Sequence, residues 1–305
     1  MSIAEEEVLG AGAVADRAMS VAGASATLRM IRRFRRQRAP MVALIGLIAI
    51  VAVVILAPWI APYDPLKQDL ASALQGPSRK HWFGTDELGR DVFSRVLYGG
   101  RVSLRAAVQA ILVGIVLGLP LGLIAGYLGK AVDYVIMRFT DALMSFPPMI
   151  LMLAMVAALG RNLNNAMLAL GIVFAPRFAR LARGVVLELR EEPYIEAAQS
   201  IGVSTPAIIW RHIIPNALPP LIVQLSLSTG FAILAEAGLS FLGLGVQPPQ
   251  ASWGTMLERG FRSLSQSSTL IVFPGIAVAL TVLAFNVIGD GLRESIGREI
   301  RTEPT

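Results

Sequence analysis

Five stretches of this chain, residues 41–62, 106–129, 142–160, 213–235 and 263–289, contain no Asp, Glu, Lys or Arg, and a shorter one covers 162–176. A helix that crosses a bilayer needs about 20 apolar residues. Only helices and closed barrels leave no backbone polar group unpaired in lipid. The pattern predicts an all-α membrane protein with six transmembrane helices, the fourth extended towards Arg183 so that its arginines reach the interface. Composition agrees: 16% of the 305 residues are charged, against about 25% in soluble proteins. The chain has no cysteine, which excludes disulfides and thiolate metal sites.

The arginines set the orientation. Arg29, Arg32, Arg33, Arg35, Arg36 and Arg38 precede the first run, and Lys and Arg are enriched on cytoplasmic flanks. The N-terminus is therefore expected inside, and six spans return the C-terminus, with Arg293, Arg298 and Arg301, to the same side. The link at Lys130 and the stretch from Arg177 to Arg211 fall inside, while the 161–165 link and residues 246–270 fall outside. Residues 63–105 also fall outside, although they carry Lys67, Arg79, Lys80, Arg90, Arg95, Arg101 and Arg105. A loop of this length is only weakly governed by the charge rule. The net charge of +6 follows topology, and no nucleic-acid partner is expected.

The resulting layout has a disordered cytoplasmic tail (1–28), without a signal-peptide cleavage pattern. A basic flank and first span follow (29–62), then an extracytoplasmic segment with an interfacial helix (63–105), a membrane core (106–293) and a cytoplasmic tail (294–305). The interfacial helix is read from Leu88 onward, where Val92, Val96 and Leu97 alternate with Arg90, Asp91 and Arg95. A second surface helix places Trp253, Met256, Leu257, Gly260, Phe261 and Leu264 on one stripe. These surfaces anchor the chain at the interface or receive an extracytoplasmic partner. Trp59, Tyr63 and Trp82 suit the headgroup belt.

Between the fourth and fifth runs lies a polar, punctuated segment, YIEAAQSIGVSTPAIIWRHIIPNALPP, from Tyr194 to Pro220. Pro193 can open a helix, and Ile195-Glu196-Ala197-Ala198 supplies helix formers with small side chains. Gly202 permits a left-handed helix terminus. Ser204-Thr205-Pro206 offers a cap and a first-turn proline for a second short helix, Ala207 to His212, before Pro215 and Pro219 turn into the fifth span. The expectation is two short helices along the membrane with an exposed acid and a flat alanine face. An ordinary amphipathic loop on the bilayer surface is the plainer alternative.

Glu196-Ala197-Ala198, Gly202 and Pro215, at this spacing and in this position, resemble the EAA loop of permease subunits in ATP-binding-cassette importers. The general family pattern ends I-x-L-P. Here Arg211-His212-Ile213-Ile214-Pro215-Asn216 is similar to the variant of the dipeptide/oligopeptide/nickel subgroup. Two further segments carry the likeness, His81-Trp82-Phe83-Gly84-Thr85-Asp86-Glu87-Leu88-Gly89-Arg90-Asp91 and the run from Ala235 to Gly245 followed by Pro248-Pro249. Both look like the second-type permease of that subgroup, and the match runs from about Arg29 to Arg293.

The resemblance implies a five-helix type I importer permease core (about 106–293) with one added N-terminal helix, in a bacterial inner membrane. Its implied partners are a second homologous permease, two ATPase subunits and an extracytoplasmic solute-binding protein. ATP and Mg would be bound by the ATPases, and this chain would bind no cofactor. The implied ATPase-coupling residues, in the 190–216 loop, are Tyr194, Ile195, Glu196, Ala197, Ala198, Ile201, Gly202, Arg211 and Pro215. The cargo would be di- or oligopeptides, with nickel or another small solute as the alternative.

Ionisable groups in membrane segments are functional candidates. Glu236, beside Ser240 near the outer end of the fifth span, either snorkels or caps the helix, or lines the pathway or gate. Arg138 and Asp141, three apart, form a structural pair candidate. Pro147 and Pro148 are expected to kink the third span. No G-x-x-x-x-G-K-[ST] loop and no HExxH or GxSxG motif occurs, so this chain is not expected to be an enzyme. An ion-gradient transporter, the remote alternative, predicts inverted repeats and central charges, neither of which the sequence displays.

Overall fold

The computed structural model describes residues 30–297. The tail at 1–28, together with Arg29, Arg298 and Arg301, lies outside the described residues, as does most of the expected C-terminal tail. Helix α1 (Arg38–Ile55) is followed by one helical turn and an irregular segment up to Asp91. Then come α2 (Val92–Leu128), α3 (Lys130–Ser145), α4 (Pro148–Leu159), α5 (Leu163–Leu189) and α6 (Pro193–Ser200). Helices α7 (Thr205–Phe241), α8 (Trp253–Arg262) and α9 (Thr269–Gly297) complete the described chain. Among the described residues the only β-structure is an isolated bridge between Thr85 and Asp91.

Helices α1, α2, α7 and α9 are each long and apolar enough to cross a bilayer, and α3 with α4 makes a fifth span if the bent pair counts as one. Helix α5 has 27 residues, but Arg177, Arg180 and Arg183 interrupt its apolar run. The count by length and composition is thus four or five.

Three expected elements differ. The helix read as interfacial from Leu88 is the first part of α2, which runs unbroken for 37 residues. At 1.5 Å per residue this is about 55 Å, well beyond the roughly 30 Å hydrocarbon core. The run at 142–160 is no continuous span. Helices α3 and α4 meet at 93°, where Pro147 and Pro148 deny the chain helical backbone bonds, and α4, with 12 residues, is about 18 Å long. The second short helix after Gly202 does not end at His212 either. Thr205–Ile208 passes through a π-helical stretch, Ile209–Ile213, directly into the long helix. Pro215 directly follows the π-helical stretch, at the start of the regular α-helical part Ile214–Phe241.

The centre of the fold is the α2–α5 pair. Ala110, Gly114, Gly118, Gly122 and Gly126 repeat every four residues along one face of α2 and are buried. A Cβ at Gly118 or Gly122 would strike the carbonyl oxygen of Ala175 or Ala179 on α5. Small residues at this spacing let two backbones approach closely, the usual basis of helix association in lipid. Phe174 and Phe178 fill the flanking space and join a core with Met152, Val156, Leu221 and Ile233.

Helix α1 docks on α9 rather than on this centre. Phe34 and Leu47 pack with Ala284 and Ile288, and the Gln37 side chain donates to the Gly291 carbonyl (3.3 Å) and the Ser295 hydroxyl (3.2 Å). Helix α9 runs antiparallel to α7, with Ser226 Oγ donating to the Phe285 carbonyl at 2.7 Å and Gly230 beside Val282 and Asn286. These pairings bring the N-terminal end of α1, with Arg33, to the same end of the molecule as α6 and the start of α7.

Candidate functional site

At that end, the segment from Pro193 to Ile213 rests on a small apolar cluster of its own. Ile195, Ile208 and Ile213 are fully buried against Leu123 of α2 and Ala182 and Val186 of α5, with Tyr127, Tyr194 and Val203 packed around them. Thr205 Oγ1 donates to Tyr127 Oη (3.3 Å), and the Tyr194 and His212 rings lie 6.1 Å apart. Burial and the nearby Glu192 carboxylate push the Tyr194 phenol above its ordinary range, so it stays neutral. The ends of α2 and α5 nearest α6 are thereby joined to it by apolar contact.

The outward side of the segment is different. Glu196, Ala197, Ile201 and Gly202 are exposed, and Ile201 is 61% exposed. Among the described residues the Glu196 carboxylate takes no partner. Gly202 adopts φ +79°, as its place after a helix end requires, and nothing lies within 4 Å of the space a Cβ would occupy. Ser204 precedes Thr205–Ile208 but its side chain makes no cap bond. Of the expected alanine face only half is present: Ala197 points out and Ala198 is buried, because adjacent helical positions are about 100° apart. Arg211 is exposed and Pro215 half-buried. His212 is buried, and no cluster able to hold a metal ion occurs among the described residues. Trp210, 71% exposed, is a feature that motif matching passed over.

The opposite end is built around a buried acid. Glu236 of α7 is fully buried, so it does not snorkel. Ser103 Oγ of α2 and Ser240 Oγ donate to its two carboxylate oxygens at 2.8 and 2.7 Å. Ser103 Oγ also accepts from the Trp253 N–H (3.1 Å), and Ser240 Oγ accepts from the Val246 N–H (3.3 Å). The acid ties α2, α7 and the start of α8 together. The surface helix expected around residue 256 is α8, with Trp253, Met256 and Gly260 buried and Phe261 exposed.

Beside it the HWFGTDELGRD string folds into a knot of charges. Asp86 Oδ2 accepts from Arg90 Nε at 2.7 Å and lies 3.2 Å from Arg95 Nε, while Oδ1 accepts the Leu88 and Arg90 N–H groups. Glu87 takes Arg90 (3.2 Å) and Arg259 of α8 (2.6 Å). Asp91 caps α2 through the Ser94 N–H at 2.8 Å and pairs with His81 at 2.9 Å. Arg90 and Arg95 are 2% and 1% exposed. Two of the seven cations that conflicted with an external assignment are therefore neutralised inside the protein.

Arg138 and Asp141 do not pair. Arg138 turns to Tyr134, donating to its hydroxyl at 3.0 Å, and Asp141 takes Arg180 of α5 at 2.5 Å. About two turns earlier on α3, Asp133 takes Arg183. The carboxylates of α3 face α5, where fixed cations lie closer than the mobile Arg138.

Residues 118–302 match the family described as binding-protein-dependent transport system inner membrane component, and residues 25–77 match the N-terminal transmembrane domain of oligopeptide transport permease C. The chain is 42% identical over 248 residues to the dipeptide transport system permease protein DppC of Alkalihalophilus pseudofirmus, covering 81% of this chain and 82% of that one. It is 45% identical over 248 residues to the glutathione transport system permease protein GsiD of Shigella sonnei, with the same coverage. Among solved structures, a chain of the inward-facing MetNI methionine ABC transporter matches with a TM-score of 0.54 at 20% identity, covering 67% of this chain and 97% of that chain. That likeness concerns the fold alone. The chain is thus a multi-pass membrane protein that belongs to the binding-protein-dependent transport system inner membrane component family, as an ABC importer permease of the dipeptide/oligopeptide group.

Proposed function

We propose that this permease forms half of a translocation pathway for di- or oligopeptides and is driven by an ATPase subunit docked on residues 193–213. The observation that carries the coupling role is the contrast within that segment. Ile195, Ile208 and Ile213 anchor it to α2 and α5, while Glu196, Ala197, Ile201 and Gly202 are presented outward. Closure of the ATPases on ATP would push the outward side, and the apolar anchor would carry that displacement into the inner ends of α2 and α5. Glu196 would supply the polar contact and Gly202 the close approach, with Tyr194, Ala198, Arg211 and Pro215 fixing the segment's shape.

In this reading the chain itself is non-catalytic, and ATP and Mg sit on two partner ATPases. A second homologous permease completes the pathway, and an extracytoplasmic solute-binding protein delivers the peptide. Both the coupling segment and the N-terminal flank face the cytoplasm, an orientation supported by their common position at one end of the molecule. The buried cluster around Glu236 and Ser240 would hold the outer end shut.

Because the chain contains no cysteine, single cysteines report cleanly. Ile201→Cys should cross-link to a cysteine placed in the facing surface of the ATPase subunit, both with and without ATP. Ser204→Cys should resist an impermeant thiol reagent in intact cells that labels Ser78→Cys. Labelling of Ser204→Cys from outside would reject the orientation and, with it, the docking role.

A further inference from the structure

Helix α5 carries three arginines in a row of i+3 steps, and two are accounted for. Arg180 pairs with Asp141 and Arg183 with Asp133, both on α3. Arg177, midway along α5, is turned elsewhere. It lines a cleft of about 430 Å3 between α5, α7 and α9 whose other polar lining groups are Gln224, Ser228 and Asn286. Its guanidinium lies over two aromatic rings, Phe174 at 5.8 Å and Phe231 at 5.4 Å. Among the described residues no carboxylate pairs with it.

A half-buried cation packed among apolar helices is costly unless it is compensated or faces water, and such residues in membrane proteins mark solute pathways. Cation–π contact compensates part of the charge. It uses none of the guanidinium's five N–H donors, whose planar fork matches a carboxylate in bidentate fashion. Gln224 and Ser228 are joined to each other, Gln224 Nε2 donating to Ser228 Oγ at 2.9 Å, so both stand on one wall of the cleft as further polar groups. The cleft therefore holds a preset cation with open donors and an apolar backing.

We propose that Arg177 is a solute-contacting residue of the translocation pathway, gripping the carboxylate of a passing solute, which for a peptide cargo is its C-terminus. The proposal rests on the importer reading above and adds the chemical feature by which the membrane domain itself recognises its cargo. Gln224, Ser228 and Asn286 are placed to take the solute's amide groups.

The test uses the complete transporter in lipid nanodiscs, without binding protein, and equilibrium dialysis of radiolabelled dialanine and dialanine amide. The wild-type complex should retain the free acid about tenfold or more above the amide. Arg177→Gln should bring the ratio close to one while amide retention stays as it was, and Arg177→Lys, which keeps the charge but loses the planar fork and the ring stacking, should restore only part of the preference. Equal retention of acid and amide by the wild type would overturn the proposal, and would point to a carboxylate of the second permease seated on Arg177. An equal fall of both solutes in Arg177→Gln would also overturn it, as the mark of a packing role. Failure of the importer reading looks different: the wild-type transporter, reconstituted with its binding protein, would then show no ATP-driven uptake of either solute.

Discussion

The two ends of this molecule each carry a strong sequence motif, and the structure uses them in opposite ways. In the outer knot every charge of the HWFGTDELGRD string except Glu87 is nearly buried, and each finds a partner in the chain itself. In the 193–213 segment the apolar residues are buried and the acid is left facing out. A motif whose charges are paired within the chain, as these are although Glu87 Oε2 and Arg95 Nη2 make no hydrogen bond, is there for the fold. A motif that leaves its polar group unanswered on a rigid base is there for a partner. This separation predicts that damage to the knot appears as lost stability, whereas damage to the exposed side of the segment appears as lost coupling.

The largest stability loss should come from Asp86→Ala. It strands the Arg90 and Arg95 guanidiniums without their shared carboxylate, at a cost of about 3–5 kcal/mol, read as a collapse of the melting temperature of the purified complex. A variant melting like the wild type would break the comparison at its stronger end. Gly118→Leu comes next. It forces α2 away from α5 and should cost about 1–3 kcal/mol, with loss of the assembled protein from the membrane fraction.

Glu236→Ala removes the acceptor for two buried hydroxyls and should cost a similar ~1–3 kcal/mol. Glu236→Gln keeps an acceptor and separates packing from gating: if peptide uptake and stimulated ATP hydrolysis are unchanged in it, the acid has no gate role. Arg180→Gln breaks a half-exposed pair and should shift stability by less than about 1 kcal/mol. Glu196→Ala should be smaller still, within about 0.5 kcal/mol, because nothing among the described residues answers that carboxylate.

Much of this was legible in the sequence, for physical reasons that differ by element. Charge-free runs locate α1, α7 and α9 because lipid tolerates no unpaired polar group. The bend at Pro147-Pro148 and the left-handed Gly202 follow from backbone chemistry alone. The Gly114-Gly118-Gly122-Gly126 stripe, which raised no expectation in the sequence, marks the face that α5 covers. What stayed hidden was long-range. The polar start of α2 is buried because Arg95 is matched by Asp86 just before the helix and because Glu87 draws in Arg259 of α8, 172 residues away in sequence. The Arg138–Asp141 spacing suits a helical pair, but Asp141 lies nearer to a cation 39 residues away in sequence. Arg177 looked like one more interfacial arginine until its two paired neighbours were placed.

The account stands or falls on Gly202. An aspartate tolerates the left-handed conformation better than most side chains and would extend into space the described residues leave open, so Gly202→Asp should reach the membrane folded, with only the modest loss of melting temperature that a side chain at φ +79° brings. The decisive measurement is ATP hydrolysis by the reconstituted complex, stimulated by peptide-loaded binding protein. The account predicts that Gly202→Asp abolishes the stimulation, and stimulation at the wild-type level would contradict it.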